Sequence, residues 1–328
     1  MQKTKSNHWS RLKKYSPAIK LILGLVICYF LFENLTDSPE KKQRLSSLLN
    51  PDFLSLTQKW MFASVILLMP INWMLETLKW QFASKKISKL KFSNALKGIL
   101  SGVSVSFLFP NRTGDFTGRL LFFPIEKRMK GLIASLMASF SQLVVLLVFG
   151  GITVLFFIPI EILNLEINAS YLTFLISLIL IFNLLLYFYS HKIGKLRFKH
   201  KKLNRALKFI KVFGLFDHKT KSKLLLFSLL RYLVFCSQFA ILLAFFTNSF
   251  SLKFLLFAPA SFFATTVIPS LTFAELGIRE WVNYTLSNMM GIDEQAAVLS
   301  GLALWIINVL PPSFIGIFFI FKAKLFKD

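Results

Sequence analysis

The residues able to do chemistry gather at two short polar interruptions in otherwise apolar sequence. The first reads Pro110-Asn111-Arg112-Thr113-Gly114-Asp115 and runs on to Gly118 and Arg119. The second opens at Pro269 and carries Glu275, Gly277, Arg279 and Glu280. Glu76 stands apart from both, inside an apolar run. Arginine's planar fork holds phosphate oxygens bidentately. A helix that restarts after a proline presents unpaired N–H groups that favour an anion. Together these features suit the binding of an anionic group, a lipid phosphate before others, by Arg112, Arg119 and Arg279. Asp115, Glu275 and Glu280 would set the geometry of the interruptions or read a cationic head group.

Simpler roles stay open for several of these residues. Thr272-x-x-Glu275 has the spacing of a capping box, and Asp115 suits the first turn of a helix. Asp115 and Arg119, four residues apart, can form a plain intrahelical pair. The spacings Gly98-x-x-x-Gly102 and Gly114-x-x-x-Gly118 predict faces for close helix packing. No Gly-rich phosphate loop, nucleophile elbow or His/Cys ligand set is found, so no catalytic residue, metal site or cofactor is expected. Cys28 and Cys236 both fall in apolar runs and read as packing residues.

These groups need a bilayer to position them. Of the 328 residues 55% are hydrophobic and 38 are Phe. Apolar runs recur at Ala18 to Phe32, Met61 to Trp80, Leu132 to Ile158, Tyr171 to Tyr189, Leu224 to Phe246 and Ala296 to Phe321. Most are long enough to cross a hydrocarbon core of ~30 Å, where only helices satisfy the backbone. The fold class expected is therefore an all-α integral membrane protein with about six transmembrane helices. Trp60, Trp80, Tyr171, Tyr187 and Tyr189 near the ends of these runs are expected at the membrane interface. The formal charge of +24 lies in short segments between apolar runs, which marks topology and excludes nucleic acid as a partner. The N-terminal tail, the stretch Lys85 to Lys97, the linker 191–223 and the tail Lys322 to Lys327 are basic and expected on the cytoplasmic side, with both termini. The linker has the pattern of a basic amphipathic helix over Leu203, Leu207 and Ile210, and equally that of a solvated loop whose charges only fix topology.

Two apolar stretches break the alternation. Gly98 to Phe109, the Pro110 turn and Phe116 to Pro124 lie between two basic segments, and an arm of about 12 residues reaches only ~18 Å. Phe254 to Ile268, the Pro269 turn and Glu275 to Met290 return to the acidic pair Asp293-Glu294 on the opposite side. Both read as re-entrant hairpins, rooted on opposite faces. Half A, about 18–158, and half B, about 171–321, then form an inverted-topology repeat within a single membrane domain, 1–328.

On Leu78-Lys79-Trp80-Gln81, on Phe109 through Asp115 with Arg119, and on Pro269 through Leu276-Gly277-Ile278-Arg279-Glu280, the chain resembles the lysylphosphatidylglycerol synthase transmembrane family. The resemblance covers nearly the whole chain. Pro110, Arg112, Gly114, Asp115 and Arg119 match its first motif. In the second motif Glu275 stands where the family usually has Gly, while Gly277 and Glu280 are kept. The family's aminoacyl-transfer activity belongs to a separate soluble domain. The resemblance thus implies a flippase or lipid-binding transporter for an anionic phospholipid or polyprenyl-phosphate-linked lipid, and not an enzyme. The expected location is the bacterial cytoplasmic membrane and the expected partners are membrane lipids. A non-transporting lipid-binding scaffold for a separate glycosyl- or acyl-transferase is the alternative, and homo-oligomerisation is left open.

Overall fold

In the computed structural model the described residues are 54–85, 87–106, 114–157, 169–193, 195, 212–268 and 275–325, with isolated positions between 33 and 52. The first apolar run, Ala18 to Phe32, the 203–210 stretch of the linker and both proline turns, with Pro110, Arg112 and Pro269, lie outside them.

The described residues form nine α-helices and no strand. They are α1 (Leu56–Ser84), α2 (Phe92–Ser106), α3 (Gly114–Leu120), α4 (Arg128–Phe157), α5 (Ala169–Ile193), α6 (His218–Thr247), α7 (Lys253–Val267), α8 (Glu275–Met290) and α9 (Glu294–Leu325). The chain is an all-α membrane protein. Five helices among the described residues are long and apolar enough to cross a bilayer: α1, α4, α5, α6 and α9. Each begins before its apolar run. At 29 residues α1 is ~44 Å long, because hydropathy marks the hydrocarbon slab while helical hydrogen bonding continues into the interface. Its start is set by Ser55, whose hydroxyl accepts from Gln58 N at 3.2 Å while Gln58 Oε1 accepts from Ser55 N at 3.0 Å. Asp293 Oδ1 accepts from Ala296 N at 2.6 Å and caps α9, just after Gly291 takes the positive φ of 61° needed for the turn out of α8.

The helices α2 and α3 fold against each other, as do α7 and α8. The first helix of the first pair begins at Phe92, six residues before the predicted arm, and its returning helix ends at Leu120 in a short turn. Of the predicted glycine faces, Gly98, Gly102 and Gly118 mark close approach. A Cβ on Gly102 would meet Asp115 O at 2.7 Å, and one on Gly118 would lie 2.5 Å from Gly102 Cα. The long helix α9 runs past both pairs. Gly301 faces Glu280 and Asn283 of α8, while Gly316 lies against the Leu100 carbonyl and Ser104 of α2. Likewise Gly150 of α4 lies against Phe263 and the Pro259 carbonyl of α7. Helix neighbours correspond when α1 is exchanged with α6, α2 with α7, α3 with α8 and α4 with α9: α2 on α9 mirrors α7 on α4, and α1 on α4 mirrors α6 on α9.

The aromatic residues divide in a way the sequence reading did not foresee. Trp60, Tyr171 and Tyr189 are exposed at span ends, consistent with an interfacial position, but Trp80 and Tyr187 are wholly buried. Position near a span end does not decide which way the ring faces, and each of these two has a buried partner for its polar tip. Trp80 Nε1 donates to Ser135 Oγ at 2.7 Å, and Tyr187 OH donates to the Lys221 carbonyl at 2.9 Å. Cys236 is buried in the apolar core, the packing role expected of it.

Candidate functional site

The inward face of α1 repeats at helical spacing through Val65, Asn72, Glu76, Lys79 and Ala83, all buried. An acid and a base on that stripe can remain in the interior only if neighbouring helices answer them. Three helices do so. Glu76 Oε2 lies 2.8 Å from Lys79 Nζ and 3.1 Å from Arg231 Nη1 of α6, and its Oε1 accepts from Arg119 Nη2 of α3 at 3.0 Å. Lys79 Nζ also donates to Gln142 Oε1 of α4 at 3.1 Å.

Arg119 is held from both sides. Its Nε donates to Asp115 Oδ1 at 3.0 Å and its Nη2 lies 2.6 Å from Asp115 Oδ2, so the four-residue intrahelical pair exists and is extended across the bundle to Glu76. Its Nη1 is buried and meets no acceptor among the described residues. The Arg119 side chain is 5% exposed and that of Asp115 22%, so Asp115 is the open edge of the cluster.

A chain of amides continues from the cluster. Arg231 Nε donates to Asn72 Oδ1 at 2.9 Å, Asn72 Nδ2 to Asn308 Oδ1 at 3.0 Å, and Asn308 Nδ2 to Gln238 Oε1 at 3.1 Å. The Arg231 guanidinium lies over the rings of Trp73 and Phe235. Among the described residues the cluster brings together three cations, Lys79, Arg119 and Arg231, and two carboxylates, Glu76 and Asp115. It sits on α1 six residues past the helix midpoint, ~9 Å toward the end that leads to the basic stretch 85–97.

The second pair of helices carries its own cluster. Arg279 Nε and Nη2 reach Glu280 Oε1 at 2.8 and 2.6 Å, and Asn283 Nδ2 donates to Glu280 Oε2 at 2.8 Å. Ser261 Oγ of α7 completes it by donating to Asn283 Oδ1 at 2.5 Å. Gly277 is buried on the same helix and Glu275 is its first residue. Of the residues singled out in the sequence, Glu76, Asp115 and Arg119 therefore meet in one cluster, and Arg279 with Glu280 form another. Helix α9 packs against both helix pairs through Gly301 and Gly316, with Asn308 between them.

Sequence reasoning passed over Lys79 as a charged ligand of Glu76, and Arg231 altogether. The signal for Arg231 was present: it is the one base inside the run Leu224 to Phe246, and an ionisable residue at membrane depth marks function by default. No group of metal ligands occurs among the described residues.

Trp80 supports the cluster from behind. Its ring fills the space beside Gly98 and lies 6.2 Å from Phe123, between α1 and the first helix pair. Trp80→Phe keeps most of the ring and loses the bond to Ser135. The expected cost is about 0.6 to 1.7 kcal/mol, the range for interhelical bonds in membranes, read as a lower melting temperature in detergent. A variant as stable as the wild type would show that the bond contributes nothing.

Membrane-spanning helices around a buried ionic cluster, with two helix pairs packed on one long helix, define a polytopic membrane protein built around polar groups at bilayer depth. Comparison with curated proteins gives no match. Residues 18–316 match the family described as the lysylphosphatidylglycerol synthase TM region, and the chain belongs to that family. Membership makes it a multi-pass membrane protein of lipid metabolism or transport.

Proposed function

We propose that this chain moves an anionic, phosphate-bearing lipid, a phospholipid or a polyprenyl-phosphate-linked lipid, between the leaflets of a bacterial cytoplasmic membrane, as a transporter and not an enzyme. The observation that carries the reading is the surplus cation of the buried cluster, with one arginine donor, Arg119 Nη1, unmatched among the described residues. A buried site with more cations than carboxylates suits one more anionic group, and a lipid phosphate supplies it in the place the bilayer allows.

The two helix pairs act in this reading as re-entrant hairpins. In support, their helices of 7 to 16 residues are too short to cross ~30 Å. The correspondence of helix neighbours, including Gly150 on α7 and Gly316 on α2, supports halves related by a pseudo-two-fold axis in the membrane plane. Rocking of one half against the other would open the cluster to each leaflet in turn, at the edge where Asp115 holds Arg119. Basic segments on one side support cytoplasmic termini.

The test is leaflet exchange of labelled phosphatidylglycerol and phosphatidylcholine in proteoliposomes. Arg231→Gln removes one cation of the cluster and leaves Glu76 paired with Lys79 and Arg119, so the protein should fold. Exchange of phosphatidylglycerol is expected to fall about tenfold, the loss of one charge-assisted bond. Unchanged exchange of every anionic lipid by the folded variant, or a wild type that moves none, would remove the transport reading. A stoichiometric transferase co-purifying with an inactive chain would replace it with a scaffold.

A further inference from the structure

At the roots of the first helix pair lies a cavity of about 510 Å3 that the buried cluster does not use. Its polar wall is the loop between α1 and α2 and the first turn of α2, with Ser88, Lys89, Lys91 and Asn94. Its apolar wall is the turn after α3, residues 121–125. Both walls are fixed. Gln81 Nε2 donates to the Leu90 carbonyl at 2.8 Å, which ties the lysine loop to α1, and Phe123 is buried against Trp80 on the other side.

Charge and apolarity are sorted across this cavity. Among the described residues no carboxylate lines it, and Lys89 and Lys91 are both exposed. The stretch 85–97 has five lysines and no acid. Close by, Phe92, Ile125 and Met129 are 40, 63 and 75% exposed. Large exposed apolar side chains belong against lipid tails and exposed ammonium groups belong in the head-group layer, so the cavity straddles the boundary between them. Its volume is that of a small-ligand site, enough for a head group and glycerol but not for the whole of a two-chain lipid.

We infer that this cavity is a binding site for an anionic phospholipid of the leaflet that faces the basic segments. The phosphate pairs with Lys89 and Lys91, Ser88 and Asn94 hydrogen-bond the glycerol or ester oxygens, and the acyl chains leave along Leu121, Phe122 and Ile125 into the bilayer. A soluble phosphate would use the lysines and leave the apolar wall idle. A zwitterionic lipid would use the wall but set its own cation against the lysines. The turn that forms the apolar wall begins two residues after Arg119, so a lipid held here stands next to the buried cluster. Binding here does not depend on the transport reading.

The experiment is native mass spectrometry of the full chain in detergent, titrated with phosphatidylglycerol, phosphatidylcholine or glycerol 3-phosphate. The wild type should hold phosphatidylglycerol in preference to phosphatidylcholine, and glycerol 3-phosphate should not displace it. Lys89→Ala with Lys91→Ala should weaken the tightest phosphatidylglycerol adduct on the order of 30-fold, the product of two lysines near an anionic lipid surface. Ile125→Ser, which keeps both charges, should weaken it several-fold. The control Lys219→Ala with Lys322→Ala removes two exposed lysines elsewhere and should leave it unchanged. Unaltered binding in the first two variants, an equal loss in the control, or displacement by glycerol 3-phosphate would each overturn the assignment. Leaflet exchange in Arg231→Gln and the adduct in the lysine and Ile125 variants are separate readouts, so failure of the transport reading and failure of this site are told apart.

Discussion

Glu76→Gln is expected to cost about 3 to 5 kcal/mol, the penalty for removing one partner from a buried ionic group. Glu76 is the hub of its cluster: Lys79, Arg119 and Arg231 all lie within 3.1 Å of its carboxylate, and its side chain is 3% exposed. Replacing it by the isosteric amide leaves the packing volume intact and takes from Lys79 and Arg231 the carboxylate they share, while Arg119 keeps Asp115. In detergent the variant should lose its cooperative melt or aggregate on size exclusion. Asp115→Asn should cost far less, because Asp115 is partly open to its surroundings and Arg119 retains Glu76. Arg231→Gln in the Glu76→Gln background should recover part of the loss, since it removes one of the cations that Glu76 neutralised. A Glu76→Gln protein that melts within a degree or two of the wild type would mean that the carboxylate does not neutralise the three bases as the geometry requires.

The cluster also shows which parts of the molecule were legible in the sequence. Apolar runs identified all five spans found among the described residues, because hydrocarbon thickness sets a length that composition reports directly. The glycine spacings were legible as packing faces, since backbone approach between helices needs residues without a side chain. The partners of Glu76 were not legible beyond its own helix. Arg119 is 43 residues away in sequence and Arg231 is 155, and a single chain carries no signal for pairing at such range. Arg231 was lost because averaging over an apolar run hides one base, although one base in such a run is the informative residue. Trp80 and Tyr187 were misplaced for a related reason: distance from a span end is readable, but the face of the helix is not until its neighbours are known. The separation of the two clusters depends on the path of α9 between the helix pairs, a property of packing that no local pattern encodes.

Gly118→Ala is expected to disrupt the first helix pair more than any other single methyl added to the chain's described helix glycines outside α9. The new Cβ would lie 2.5 Å from both the N and the Cα of Gly102 and equally close to the Ser101 carbonyl carbon. These are backbone atoms on a helix that is itself pressed against α9, where the Leu100 carbonyl and Ser104 meet Gly316. Neither side can yield by rotating a side chain, so α3 must tilt or slide and withdraw Arg119, the next residue, from Glu76. Gly131→Ala provides the comparison. Its Cβ would meet side-chain atoms of Leu120 and Phe123 at 3.0 Å, contacts that shifts of a few tenths of an ångström relieve. Both substitutions gain the same helix propensity, about 1 kcal/mol, so their difference isolates the close approach. Gly118→Ala should carry an overpacking cost at or above the top of the ~1 to 3 kcal/mol range, and Gly131→Ala should be near neutral. Melting temperatures of the two variants in one detergent check this directly. Equal stability would mean that the helices of the first pair can separate without cost, and Arg119 would then not be held at Glu76 by the packing of α3 on α2.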